Sequence, residues 1–359
     1  MGDTTKKRKS WLGAVLRFAI PLIISVGLCY LLFRDFDLKQ MWLTIRTECD
    51  FRWIIGCLAF NALAQVFRAM RWRIQLRAIG VYPPLFYLVL SIFGTYAVNL
   101  VFPRLGEVWR SGYIAGRQHA PFTSVFGSMV ADRLADTVTV LLMGLFTFIL
   151  ASKSIVEFLA ANEDTYDSLK GLVLSPWLWG AAVACLVFAW WFMRRKTANA
   201  LVNKIQKAMR ELWDGFIAIF SMPDKGQWLL LTVCIWSCYY LSMYLSLFSF
   251  PFTAEIVNTH GWIAALVIFV IPSISMGVPS NGGIGPWQWA VMFCLSIYGL
   301  GSQQAGAFAN LNLGCTTLLT IVLGLFTFIC IALDKHRRAR HPQPTENIEN
   351  NQIKTPTEK

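Results

Sequence analysis

Long apolar runs constrain this chain more than any other feature. Runs fall at about 11–33, 53–67, 83–102, 134–151, 174–193, 227–250, 262–278, 284–300 and 305–333. A bilayer core of about 30 Å needs roughly 20 helical residues at 1.5 Å each, and most of these runs approach that length. Composition agrees: 56% of the residues are apolar, 14% are charged and mean hydropathy is +0.51. Soluble domains carry about 25% charged residues. The expected class is an all-α polytopic membrane protein of about six to eight spans. The domains read as a basic N-terminus (1–10), one integral membrane domain (11–333) and a polar tail (334–359).

Positive charge orients the runs. Lys6 to Lys9 precede the first run, which is too long for a signal peptide and has no small-residue cleavage site after it. Arg68 to Arg77, Arg104 to Arg117, Arg194 to Lys225 and Lys335 to Arg340 all read as cytoplasmic. The acidic 152–173 and the base-free 251–261 read as outward. Both termini are therefore expected inside a multi-pass protein of the cell (inner) membrane. The net charge of +12 is explained by loops facing the cytoplasm, so nucleic acid is not an expected partner.

Parity then fails. Two runs separate the inward Arg68–Arg77 from the outward 152–173, and two crossings would return the chain inside. One run must turn back. The 83–102 run, broken near Asn99 and Pro103, is the candidate for a re-entrant hairpin. In the second half, 262–300 holds the uncharged turn Pro279-Ser-Asn-Gly-Gly-Ile-Gly-Pro286, which suits backbone buried in protein or lining a wet cavity. Two units of span, span, hairpin, span follow, at about 11–151 and 174–333 and with opposite starting sides. This is an inverted repeat, whose broken segments point to a binding site. Nine independent helices remain the alternative.

Charge at the first break is unusual. If a helix restarts near Leu105, then Arg104, Glu107 and Arg110 follow at i, i+3 and i+6, and Glu107 can pair with either arginine. Arginine grips phosphate in a planar, bidentate manner. The competing reading is ordinary cytoplasmic charge with one interfacial ion pair. Asp132 and Asp136 lie on one face of the helix from about Pro121 to Ala151, with Arg133 beside them. Each ionised group at the membrane centre costs about 2.5–3.5 kcal/mol and so demands a partner. They either take part in transport or tie down Arg104 and Arg110. In the second turn, Asn281, Gly282 and Gly283 offer backbone N–H groups, and Gln288 a neutral hydrogen bond, to an anion. No Walker lysine follows these glycines.

The nine cysteines and four histidines form no CxxC, HExxH or other metal spacing, so no metal or cofactor is expected.

The Asn99 to Arg110 stretch, the pattern Asp132-Arg133-x-x-Asp136 and the glycines 282, 283 and 285 together resemble a flippase-like membrane family. That family includes the lysylphosphatidylglycerol synthase transmembrane region and related bacterial and archaeal proteins. The resemblance covers about Trp11 to Leu333. It implies movement of anionic or polyprenyl-linked lipids, lysyl-lipids or hopanoids, with membrane lipids as partners and a second copy or a biosynthetic enzyme as candidate associates. Two departures stand out. The family's turn reads Pro-Gly-Gly-x-Gly and then Glu, whereas here Asn281 precedes the glycines and Gln288 stands in the acid's place. The stretch after Leu333 is too short for an aminoacyl-transfer domain, so lysyl-lipid synthesis is not expected. A lipid translocase is the leading expectation, and a membrane-embedded enzyme or accessory subunit of lipid-linked glycan or phospholipid modification is the alternative.

Overall fold

The computed structural model describes residues 38–102, 104–161, 224–278, 280 and 284–340. The runs expected at 11–33 and 174–193, and Asn281, Gly282 and Gly283, lie outside the described residues. Among those described there are nine helices and no strand. They are α1 (Leu38–Glu48), α2 (Phe51–Ala78), α3 (Leu85–Val101), α4 (Leu105–Gln118), α5 (Phe122–Ala161), α6 (Lys225–Leu247), α7 (Pro251–Ser275), α8 (Pro286–Ile297) and α9 (Ser302–Arg340). Five of them, α2, α5, α6, α7 and α9, are long and apolar enough to cross a membrane. On α5 the side chains of Leu141, Leu142, Leu145, Phe146, Phe148 and Ile149 are exposed, and on α9 those of Leu318, Val322, Leu325 and Ile329. Such stripes belong against lipid.

Two boundaries differ from the sequence expectation. Helix α2 does not stop near residue 67 but continues to Ala78, carrying Arg68, Arg71, Arg73 and Arg77 with it. Alanine, methionine, leucine, glutamine and arginine all favour helix, and nothing breaks the segment before Gly80, which has a positive φ of 77°, and the Pro83–Pro84 pair. The 251–261 segment, expected as a loop, is also helical. Pro251 starts α7 at a position where its missing N–H is not needed, and the helix kinks only at Gly261, with φ 72° and ψ −164°.

That kink divides α7 into a first part and the 14 residues from 262 to 275. The latter, with α8, forms a hairpin whose arms are about 18–21 Å long, short of a 30 Å core. Its stem is closed by His260 against Tyr298, rings 5.0 Å apart. Helices α3 and α4 form the other hairpin. Phe102 is extended (φ −124°, ψ 103°), as the residue before a proline prefers, and Arg104 takes a left-handed φ of 61° to launch α4.

Tracing the chain fixes the hairpins' directions. Helix α2 ends where α3 begins, and α4 returns to that same end, where Arg117 lies over the Tyr87 ring at 3.2 Å and bonds Asp334 of α9 at 2.7 Å. Helix α6 leaves this end and reaches the other, where Ser249 accepts from the Asp50 N–H at 2.8 Å. The second hairpin therefore descends from the opposite end to the first, and their tips meet: Arg104 donates to the Gly277 carbonyl at 3.0 Å. Packing repeats in the same sense. The pairs α2–α3, α3–α4, α4–α5 and α3–α9 are matched by α6–α7, α7–α8, α8–α9 and α7–α5, with α2 against α6 across the middle.

Close approach inside the first hairpin depends on small residues. A Cβ on Gly106 would meet the Thr95 carbonyl oxygen at 2.2 Å, and one on Gly94 would meet the Trp109 ring at 2.4 Å. We expect Gly106→Ala to destabilise the detergent-solubilised protein by about 1–3 kcal/mol, read as a lower Tm. Gly116→Ala, on the same helix with nothing within 4 Å of its added Cβ, should be neutral or stabilising. Equal behaviour of the two would contradict this packing. In a cysteine-free background, Tyr82→Cys and Gly301→Cys should be labelled by an impermeant thiol reagent from opposite sides of the membrane.

Candidate functional site

The charged residues singled out in the sequence converge, but with partners the sequence did not pair. Asp132 and Asp136, one turn apart on α5, face Arg68 and Arg71, one turn apart on α2. Arg71 bridges both acids: its Nη2 lies 2.7 Å from Asp132 Oδ1 and 2.7 Å from Asp136 Oδ1, and its Nε donates to Asp132 at 3.0 Å. Arg68 Nη1 donates to Asp136 Oδ2 at 2.5 Å. The two arginines had read as cytoplasmic orientation signals, yet both are buried. They escape notice because an arginine-rich segment after an apolar run resembles a loop. The available signal is the stripe Gln65, Arg68, Trp72 and Gln75 at helical spacing, uninterrupted by any breaker.

Other polar groups complete this network. Thr232 of α6 accepts from Arg71 Nη1 at 3.3 Å, and Trp228 lies under the Arg71 guanidinium at 5.5 Å. With its amide turned to satisfy both neighbours, Gln75 donates to Asp132 at 3.3 Å and accepts from Trp228 at 3.2 Å. Gln65 donates to the Tyr239 hydroxyl at 3.0 Å, and Arg68 stacks 5.9 Å from the Tyr239 ring.

The first hairpin carries the rest. Asn99 spans its two arms, accepting from the Gly106 N–H at 2.8 Å and donating to both Glu107 oxygens at 3.2 and 3.3 Å. Glu107 pairs with neither Arg104 nor Arg110 but with Arg133, at 3.2 Å. Arg104 is exposed at the hairpin tip, where its guanidinium bonds the Gly277 carbonyl. Arg110 is fully buried, flat against Trp72 at 4.3 Å, and Trp72 is itself fixed by a hydrogen bond to Ser128 at 3.1 Å. Asp132 Oδ2 approaches Arg110 only to 3.7 Å, beyond hydrogen-bonding range, and none of the three Arg110 nitrogens hydrogen-bonds to another group among the described residues. Four guanidiniums (Arg68, Arg71, Arg110 and Arg133) thus face three carboxylates (Glu107, Asp132 and Asp136).

Depth follows from helix rise. Arg71 is seven residues from the end of α2, Arg110 eight from the end of α4 and Asp132 ten from the start of α5, all ends on one side of the bundle. At 1.5 Å per residue the cluster sits about 10–15 Å in from that side.

In the second hairpin, Gln288 is buried and both ends of its amide are engaged. It accepts from the Gly285 N–H at 3.0 Å and donates to Asn310. It closes the turn where Gly285 has a φ of 94°. Among the described residues, no group of three or more His, Cys, Asp or Glu side chains could hold a metal.

Residues 18–324 match the family described as lysylphosphatidylglycerol synthase TM region. The chain belongs to this family. No curated protein and no solved structure matches it. As a lysylphosphatidylglycerol synthase TM region it is a multi-pass membrane protein of a family concerned with lipid modification or transport, and the match takes in both hairpins and the whole charge cluster.

Breaking one buried pair here leaves a charge uncompensated. Asp136→Asn should therefore lower stability by about 3–5 kcal/mol. Removing both partners as Arg68→Met with Asp136→Leu should lose less than Asp136→Asn alone, read by thermal unfolding in detergent.

Proposed function

We propose that this protein is a lipid translocase that moves an anionic or polyprenyl-phosphate-linked lipid across the cell membrane. The headgroup phosphate is held by Arg110 with help from Arg104 and Arg133, while the tails stay in lipid. The observation carrying this reading is Arg110: a fully buried guanidinium with five N–H donors and no hydrogen-bonded partner among the described residues, its nearest carboxylate oxygen being that of Asp132 at 3.7 Å. Burying unpaired polar groups is expensive, and a phosphate oxygen pair matches the guanidinium fork. Two hairpins entering from opposite ends and touching at mid-depth give the phosphate a polar route whose barrier is short. Gln288, in the second hairpin, is assigned to the far side of that route. The arginine-rich end faces the cytoplasm, as do both termini.

An enzymatic reading, with Glu107 or Asp136 as a base, is weaker. Asp136 is bonded by Arg68 and Arg71 and Glu107 by Arg133 and Asn99, so the hydrogen-bonding capacity a base would turn toward a substrate is already taken up within the protein.

In proteoliposomes holding acyl-labelled phosphatidylglycerol or polyprenyl phosphate, the wild type should accelerate exchange between leaflets, measured by quenching of the outer label with dithionite. Arg110→Gln should lower that rate by about tenfold or more, the loss expected of one charge-assisted contact. Arg77→Gln, at the exposed end of α2, should retain it. No acceleration of any anionic or polyprenyl lipid, or full activity in Arg110→Gln, would sink this proposal.

A further inference from the structure

Charge balance along the path narrows the headgroup, on the premise of the proposed phosphate site. Each carboxylate near the first hairpin already has an arginine of its own: Asp132 and Asp136 hold Arg71 and Arg68, and Glu107 holds Arg133. Of the arginines around the first hairpin, two have no carboxylate at hydrogen-bonding distance among the described residues, Arg110 and Arg104. They differ in setting. Arg110 is enclosed between Trp72 and the ion network. Arg104 is exposed at the meeting of the two tips, about 20 Å along α4 from the basic end, deep in a 30 Å core. A charge held there needs a wet cavity or a counter-ion. Its single described bond is to a neutral carbonyl, which leaves the charge itself uncompensated.

The two are six residues apart, Arg104 at the start of α4 and Arg110 within it, about 9 Å of rise. Between them in sequence lies Glu107, already turned to Arg133, and Asp132 comes no nearer to Arg110 than 3.7 Å, so the five arginines Arg68, Arg71, Arg104, Arg110 and Arg133 stand against three carboxylates, Glu107, Asp132 and Asp136, among the described residues, an excess of two positive charges. A phosphodiester supplies one negative charge and leaves one guanidinium unmatched. A lysyl-bearing headgroup, with two ammonium groups against one phosphate, adds positive charge where the site already has an excess.

We infer that this protein selects a lipid whose headgroup carries two negative charges, as a phosphomonoester or a diphosphate, over singly charged phosphodiester lipids and over cationic aminoacyl lipids. Asymmetry between the halves agrees: the second hairpin offers the neutral Gln288–Asn310 pair where the first offers Asn99, Glu107 and Arg133. The headgroup is gripped on one side of the tip contact and passes only uncharged groups on the other.

Binding to the full-length protein in detergent, followed by native mass spectrometry, tests the inference independently of transport. The probes are dioleoyl phosphatidic acid, a polyprenyl diphosphate, dioleoyl phosphatidylglycerol and lysylphosphatidylglycerol. Phosphatidic acid or the diphosphate should bind about tenfold or more tighter than phosphatidylglycerol, the gain of one charge-assisted contact, and lysylphosphatidylglycerol weakest. Whichever of the two dianions leads identifies the source. Arg110→Gln should erase the preference. Because that residue is enclosed, Arg104→Gln serves as the second variant, being exposed and so tolerated by the fold, and it should also reduce the preference toward unity. Equal or tighter binding of phosphatidylglycerol by the wild type, or a preference unchanged in Arg104→Gln, overturns the inference. A dianion preference in a protein that moves no lipid would sink translocation and leave the charge selection standing. Transport with no preference would do the reverse.

Discussion

The rest of the architecture hangs on the ion network joining α2, α5 and α6. Water is not on hand in a bilayer to solvate a stray carboxylate, so Asp132 and Asp136 oblige the fold to bring cations to them. Arg71 does so for both acids at once, and Thr232 and Trp228 extend the contact to α6. Together with the Gln65–Tyr239 and Ser242–Cys57 contacts between α2 and α6, this network holds the three helices in one register. Buried ion pairs are weak devices for raw stability, but they penalise every misaligned packing in which a charge loses its partner.

Against that fixed frame the first hairpin is positioned by different means. Gly94 and Gly106 let its arms close, Asn99 ties one arm to the other, and Arg117 with Tyr87 and Asp334 fastens its base to α9. The hairpin can therefore hold Arg110 against Trp72 without that guanidinium being consumed by the network beside it. Structural ion pairing and an uncommitted cation coexist within a few ångströms because they are supplied by different elements, α2 for the first and α4 for the second.

Much of this was legible in the residues. The end of α3 at Val101, the helix restart at Leu105 and the acids on one face of α5 all follow from local rules. The second hairpin was read from its uncharged, glycine- and proline-rich turn and its outer entry from the base-free 251–261, and the chain trace has it descend from the end opposite to the first. Partner choice was not legible. Glu107 has Arg104 and Arg110 at favourable spacing on its own helix, yet it takes Arg133 from α5, because helix packing places that side chain nearer than either neighbour in sequence. Arg68 and Arg71 were hidden by a sound statistical habit: positive charge after an apolar run is usually orientation, and only the continuation of α2 to Ala78 places them in the interior. The helix over 251–261 was likewise missed, since that base-free segment read as an outward loop, although the run placed from residue 262 begins at the Gly261 kink.

The bond between Arg104 and the Gly277 carbonyl has a mechanical corollary. A hydrogen bond of this kind weakens steeply once stretched by about half an ångström to one ångström. The Arg104 bond joins the two tips through a long, exposed side chain and a bare backbone carbonyl, so the contact depends on the Gly277 backbone position and not on the side chain found there.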